Sequence, residues 1–102
     1  MKITLANQKH SLFKIPSILI DRTTWLGNPF HIGKDGNRKE VIEKYKVYFD
    51  HKMIEDKEFR DKFYEMCKRY KHCNQIQLVC WCYPAQCHGE VIKQAMEEIL
   101  SL

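Results

Sequence analysis

The sequence predicts a small single α/β domain, a short and mostly parallel sheet covered by about three helices. Three observations predict it. The chain has 102 residues, 44% of them hydrophobic and 12% aromatic, which suits one globular unit with one modest core and argues against disorder. Its apolar pattern changes period along the chain in the order strand, strand, helix, helix, strand, helix, the alternation typical of α/β folds. The run 74–82, NQIQLVCWC, becomes continuously apolar after a polar start, as a strand buried on both faces does.

Each element has its own signal. Residues 2–6, KITLA, read as a short strand. In KIPSILIDR (14–22), Ile18, Leu19 and Ile20 form an apolar run, with Pro16 near its start, where a strand tolerates proline. Residues 23–37 hold three of the four glycines and one proline and read as a long loop. Asn37 is placed to cap a helix, with Glu40 three residues on at the capping-box position. Val41, Tyr45, Tyr48 and Phe49 share one helical face over 38–52. Phe59, Phe63, Met66, Cys67 and Tyr70 form the apolar stripe of a second helix over 56–71. The stretch 83–88, YPAQCH, is a tight loop. Val91, Ile92, Ala95 and Ile99 face inward on a last helix over 89–100.

Seventeen basic and thirteen acidic residues leave a net charge of +4. That balance suits an anionic small ligand and falls short of the dense basic stripe of a strong nucleic-acid binder, so nucleic acid is not the expected partner. No apolar run approaches the roughly 18 residues a membrane span needs, and the first residues show no secretory apolar region. A cytoplasmic protein is expected, in the host cytoplasm if phage-encoded. Nothing in the pattern sets an oligomeric state.

Five cysteines in a reducing compartment argue for thiols rather than disulfides. Cys80 and Cys82 lie two apart on a strand and point to one face, with Cys80 the deeper and read as a small buried hydrophobe. Cys82 stands where strand gives way to loop. Cys87 and His88 precede a helix, whose unpaired N–H groups and dipole favour a thiolate. Cys82 or Cys87 is the candidate nucleophile, with His88 the acid or base. A loop of this kind wraps its amides around a phosphate-sized anion. Cysteine phosphatases finish such a loop with an arginine fork; His88 stands there instead, so a phosphatase is not expected. Zinc has the right ligand types but the wrong spacing: the cysteines crowd one strand and turn rather than forming two separated pairs. No metal and no other cofactor is expected.

The glycine loop brings a second set of polar groups. Arg22, Asn28, His31, Lys34 and Arg38 are candidate ligand-binding residues, with Asp21 beside them, and Trp25 is a candidate for stacking on a base or ring. Lys34 and Arg38 flank the start of the first long helix, where anions bind readily. Both unusual loops leave the carboxyl ends of expected strands. If those strands are parallel, the loops meet at one site.

The stretches DRTTWLGNPFHIGKDGNRKEVIEKY and CWCYPAQCHGEVI together resemble the domain of unknown function 4326 family of bacteria and their phages. That family looks like a strand ending in Arg, a Gly-Asn-Pro-Phe loop, a glycine-rich turn into a helix, and a terminal Cys-Trp-Cys-x-Pro-x-x-Cys-His motif. The resemblance spans roughly residues 14–95 and implies one α/β domain. It points to Arg22, Gly27, Asn28, Pro29, Phe30, Gly33, Gly36, Arg38, Cys80, Cys82, Pro84, Cys87 and His88, and it implies no activity.

Two functions from different classes follow. The first is a site for a phosphate-bearing, nucleotide-like small molecule formed by 23–37 and 82–88, with or without turnover. The second is a non-catalytic interaction protein, a phage or host factor, that binds a protein partner through the charged helix 56–71 and uses the cysteine motif as architecture.

Overall fold

The computed structural model describes residues 1–7, 15–81 and 85–101. The described elements run β1 (Lys2–Asn7), β2 (Ser17–Leu19), α1 (Arg38–Glu55), α2 (Lys57–Tyr70), β3 (Gln75–Cys80) and α3 (Gly89–Leu100). This is the expected α/β order. The strands form one sheet in the order β1-β3-β2, and both outer strands run parallel to β3. The last strand in sequence is therefore the middle one in space, which explains its unbroken apolar run: Ile76, Gln77, Leu78, Val79 and Cys80 are all buried.

Register sorts the two faces. Ile3 lies opposite Ile76, Leu5 opposite Leu78, and Ile18 opposite Leu78 from the other side. Ile3, Ile18, Ile20, Ile76, Leu78 and Cys80 join one core with Phe49, Phe59, Phe63, Ile92 and Met96 from the helices. Each fully buried side chain of this size contributes about 1.5–3 kcal/mol. The other face is more polar, and there the buried Gln77 amide donates to Ser17 Oγ at 2.7 Å. α3 packs against β1 and β3, while α1 and α2 pack on each other and on α3.

Element ends have local causes. Asn37 Oδ1 accepts from the Glu40 N–H, and Glu40 Oε1 accepts from the Asn37 N–H, each at 2.9 Å, closing the capping box that the sequence predicts. α1 continues to Glu55, beyond the expected residue 52, because the stop is Asp56. Its N–H still donates to Lys52 O, while its side chain caps α2 by accepting from the Phe59 N–H. One residue thus ends one helix and starts the next. β2 is shorter than the expected 14–22. Pro16 has no N–H to give the ladder, and at the other end the chain turns at once, with Thr24 N–H and Oγ1 both donating to Asp21 O. On α3, Met96 is buried in the core and Ala95 and Ile99 are half-buried at its edge. Among the described residues, no helix is long and apolar enough to cross a membrane.

Candidate functional site

The parallel sheet sends β2 and β3 toward the same edge, so the segment after Ile20 and the segment after Cys80 leave side by side. Between them lies a cavity of about 220 Å³, bordered by Asp21, Arg22, Thr23, Asn28, Arg38 and Trp81, among others, with Cys80, Cys87 and His88 at its inner side. It stands in the crevice where open α/β sheets bind ligands.

The segment 21–37 is built largely by its own side chains. Arg22 donates through Nη1 to Asn28 O and through Nη2 to Phe30 O at 2.7 Å. The buried Asn28 accepts from the Phe30 N–H at 2.9 Å and donates to Val41 O at 3.3 Å, fastening the loop to α1. Asp21 Oδ1 accepts from both the N–H and the hydroxyl of Thr23. Gly27 packs so close to the start of its own loop that a Cβ there would fall 2.5 Å from Asp21 O and 2.6 Å from Arg22 Cα. Gly33 and Gly36 have φ of 96° and 129°, and the Gly33 N–H donates to Gly36 O at 2.7 Å; only glycine adopts this backbone without strain.

The segment before α3 is held from below. Cys87 is 3% exposed; its Sγ accepts from the Gly89 N–H at 3.3 Å and lies 3.3 Å from Cys80 Sγ. That separation is a hydrogen-bond contact, far longer than the roughly 2.05 Å of a disulfide. His88, at the N-cap, is 5% exposed, with Nε2 2.6 Å from Ile20 O. A carbonyl only accepts, so Nε2 carries the proton, and the Leu26 carbonyl also acts on the ring. The ring stands edge-on to Tyr45 with centroids 4.8 Å apart, and the Tyr45 hydroxyl donates to Leu26 O at 2.8 Å. The imidazole therefore ties the end of β2 to the start of α3. Burial holds its pKa below the ordinary 6.5, and the charge of Arg22 pushes the same way; the hydrogen bond to Ile20 opposes them. Burial likewise raises the pKa of Tyr45. Asp21 is held below its ordinary 3.8, first by the Thr23 hydroxyl and less by the Trp81 side chain and His88, so it is an anion at neutral pH.

Arg38 joins the two segments: from the first turn of α1 its Nη1 donates to Gln86 O at 2.9 Å. Of the residues the sequence singles out, Arg22, Asn28, Arg38, Cys87 and His88 border one cavity. Cys82 lies outside the described residues. Trp25, His31 and Lys34 do not border the cavity. Trp25 stands edge-on to Phe59, centroids 5.2 Å apart, with Lys62 Nζ 5.1 Å from its ring centroid, so it belongs to the α2 side of the core. Phe30 packs edge-on to Tyr48. His31 and Lys34 are exposed, and the His31 N–H is turned toward Asp35 Oδ2. The sequence did not single out Thr23, Gln86 or Trp81. Trp81 was legible: it follows the central strand at its carboxyl end, and it is 55% exposed despite its size. Among the described residues, no group of three or more His, Cys, Asp or Glu side chains is placed to hold a metal ion.

A family model described as a domain of unknown function (DUF4326) matches residues 3–98. No curated protein and no solved structure matches the chain.

Proposed function

The chain belongs to the domain of unknown function family DUF4326, and from that premise we propose that it binds a phosphate-bearing, nucleotide-like small molecule in the cavity between 21–38 on one side and Trp81 and residues 86–88 on the other. The observation that carries this reading is the meeting of two guanidinium groups, Arg22 and Arg38, with an exposed indole, Trp81, around one opening at the carboxyl ends of parallel strands. Arg22 spends two of its N–H groups on loop carbonyls and Arg38 spends one on Gln86. A guanidinium has five, so each keeps donors for an anion. The start of α3 adds a favourable dipole.

If the ligand is turned over, Cys87 and His88 border it, Cys87 as nucleophile and His88 as acid or base, with Cys82 the other candidate thiol. A stoichiometric binder and an enzyme share this site, and conversion of the ligand separates them.

The test is thermal stability of the wild type and Arg38→Ala with inorganic phosphate, sugar phosphates and nucleotides. A ligand at 100 times its Kd stabilises by about 2.7 kcal/mol, on the order of 10 °C or more for a domain of this size. At least one phosphate-bearing ligand should raise the wild-type Tm, and Arg38→Ala should reduce that rise. No rise with any of them at millimolar concentration ends the reading.

The alternative, a protein partner on α2, has one observation in its favour: Tyr64 is 48% exposed on a helix crowded with charge. Arg60 does not belong to that surface. Its Nη1 donates to Met53 O and Ile54 O, closing the corner between α1 and α2, so a charge reversal there tests folding before it tests binding.

A further inference from the structure

We propose that Asp21 is the specificity-determining residue of this site and that it accepts hydrogen bonds from the hydroxyls of a ribose. The ligand class is then a ribonucleotide or ribosyl phosphate rather than a deoxyribonucleotide or a bare phosphate. This deepens, and rests on, the reading of the cavity as a phosphate-ligand site.

The cavity has a carboxylate where a site for an anion alone would have none. Asp21 is charged at neutral pH, and no described Lys, Arg or His lies within ion-pair distance of it. Arg22, the next residue, turns its guanidinium to Asn28 and Phe30 instead. A carboxylate repels phosphate but accepts from neutral donors, and a sugar hydroxyl is the neutral donor that accompanies a phosphate in nucleotides. The two hydrogen bonds from Thr23 both go to Oδ1, and the Trp81 side chain also donates to the carboxylate, so the carboxylate is held in place, and its oxygens have lone pairs for a further donor.

Neighbours set the order of the groups. Asp21 follows the end of β2 and Trp81 follows the end of β3, and the Trp81 side chain reaches the Asp21 carboxylate. Arg38 stands with Gln86 on another border of the same cavity. An indole, then a carboxylate, then guanidinium groups match a base, a ribose and a phosphate. Size agrees. Pockets that enclose a whole drug-sized ligand measure about 300–1,000 Å³, and this smaller cavity measures about 220 Å³. It takes a phosphosugar and leaves a base outside, stacked on the exposed face of Trp81, where such stacking is tolerant of base identity.

The experiment is titration calorimetry of the wild type, Asp21→Asn and Arg38→Ala with AMP, 2′-deoxy-AMP, adenosine and inorganic phosphate. Asn keeps an Oδ1 acceptor for Thr23, and the unliganded Tm of Asp21→Asn checks that the loop is intact. AMP should bind the wild type about tenfold or more tighter than 2′-deoxy-AMP, as loss of a hydrogen bond to a charged group implies. Asp21→Asn should abolish that preference while leaving inorganic phosphate binding equal or stronger. Phosphate-dependent binding with no preference for ribose, or a preference that survives in Asp21→Asn, overturns this proposal and leaves the phosphate reading intact. Equal binding of adenosine and AMP, with the ribose preference lost in Asp21→Asn and unchanged in Arg38→Ala, overturns the phosphate reading and keeps the ribose one. No binding of any probe overturns both.

Discussion

Residues 21–37 hold themselves together with hydrogen bonds from polar side chains to their own backbone, whereas residues 85–88 are held by side chains sunk into the core. In the first segment Asp21, Arg22, Asn28 and Asp35 each fasten a nearby backbone group, and Lys44 reaches in from α1 to Asp35 O. In the second, Cys87 and His88 are buried and reach Gly89 and Ile20. The difference teaches that a loop residue of ligand-binding type is often consumed by the loop. Asn28 has its side chain committed on both ends. What remains for a ligand is the unspent capacity of Arg22 and Arg38, the Asp21 carboxylate and the Trp81 face.

The largest effect that probes this contrast is expected at glycine. A methyl group at Gly27 meets backbone, Asp21 O at 2.5 Å and Arg22 Cα at 2.6 Å. Backbone cannot step aside without moving the loop that Arg22 has tied. At Gly89 the new group meets the ends of side chains, Leu5 Cδ2 at 2.8 Å, Ile20 Cδ1 at 2.9 Å and Cys87 Sγ at 3.1 Å, and these yield by rotamer adjustment. Overpacking costs typically 1–3 kcal/mol. Gly27→Ala is expected at the upper end, about 3 kcal/mol, and Gly89→Ala nearer 1 kcal/mol, both read from urea denaturation. Equal costs at the two positions would erase the distinction between a backbone-limited and a core-limited segment.

Arg22→Lys comes next. A lysine is a single point donor and cannot span the Asn28 and Phe30 carbonyls together. Hydrogen bonds from charged groups contribute about 1.5–3 kcal/mol, and the exposure of Arg22 places the loss at the low end, about 1–2 kcal/mol. Hydrogen exchange should quicken at the Phe30 amide, whose partner Asn28 loses its anchor, and should stay unchanged at the Gly89 amide. Quickening at both sites would mean that the two segments are one cooperative unit.

The fold was legible because its signals are local and redundant: period for the helices, an unbroken apolar run for β3, and Asn37 with Glu40 for the start of α1. The register at Asp56 was less so, since one residue serves two helices and a pattern of apolar positions does not reveal that. Of the site, the sequence indicated which segments leave the carboxyl ends of strands. It did not indicate which polar residues those segments would use up. Trp25 and Trp81 illustrate this: both sit in promising stretches, yet one packs on Phe59 and the other stands in the open. Only the packing of α2 against the loop decides between them, and that is a contact between residues 34 positions apart.

The smallest effect concerns protonation, and it falls on the core-held segment alone. His88 is buried as a neutral ring, with its pKa below the ordinary 6.5 chiefly because burial disfavours the charged form. In the unfolded chain the same ring takes up a proton near 6.5, so below that pH the unfolded state binds more protons than the folded one. Stability then falls as pH falls, and His88 contributes fully only above 6.5. The loss between pH 7 and pH 6 is at most about 0.7 kcal/mol, the value for a folded state that binds no proton at all in that interval. Asp21 and Asp56 also have lowered pKa values, but their contribution is lost near and below their ordinary 3.8, outside the window from pH 7 to pH 6, and the difference between wild type and a His88 variant assigns the effect within it. The measurement is urea denaturation at pH 7 and pH 6 for the wild type and His88→Gln. The variant should be less stable at both values, because the ring leaves Tyr45 and the bond to Ile20 is disturbed, and it should show less of a decline between them. A wild type that gains stability toward pH 6 would mean that His88 is protonated in the fold. The Ile20 carbonyl would then be stabilising a charged imidazolium, and Nδ1 would be a donor rather than a base.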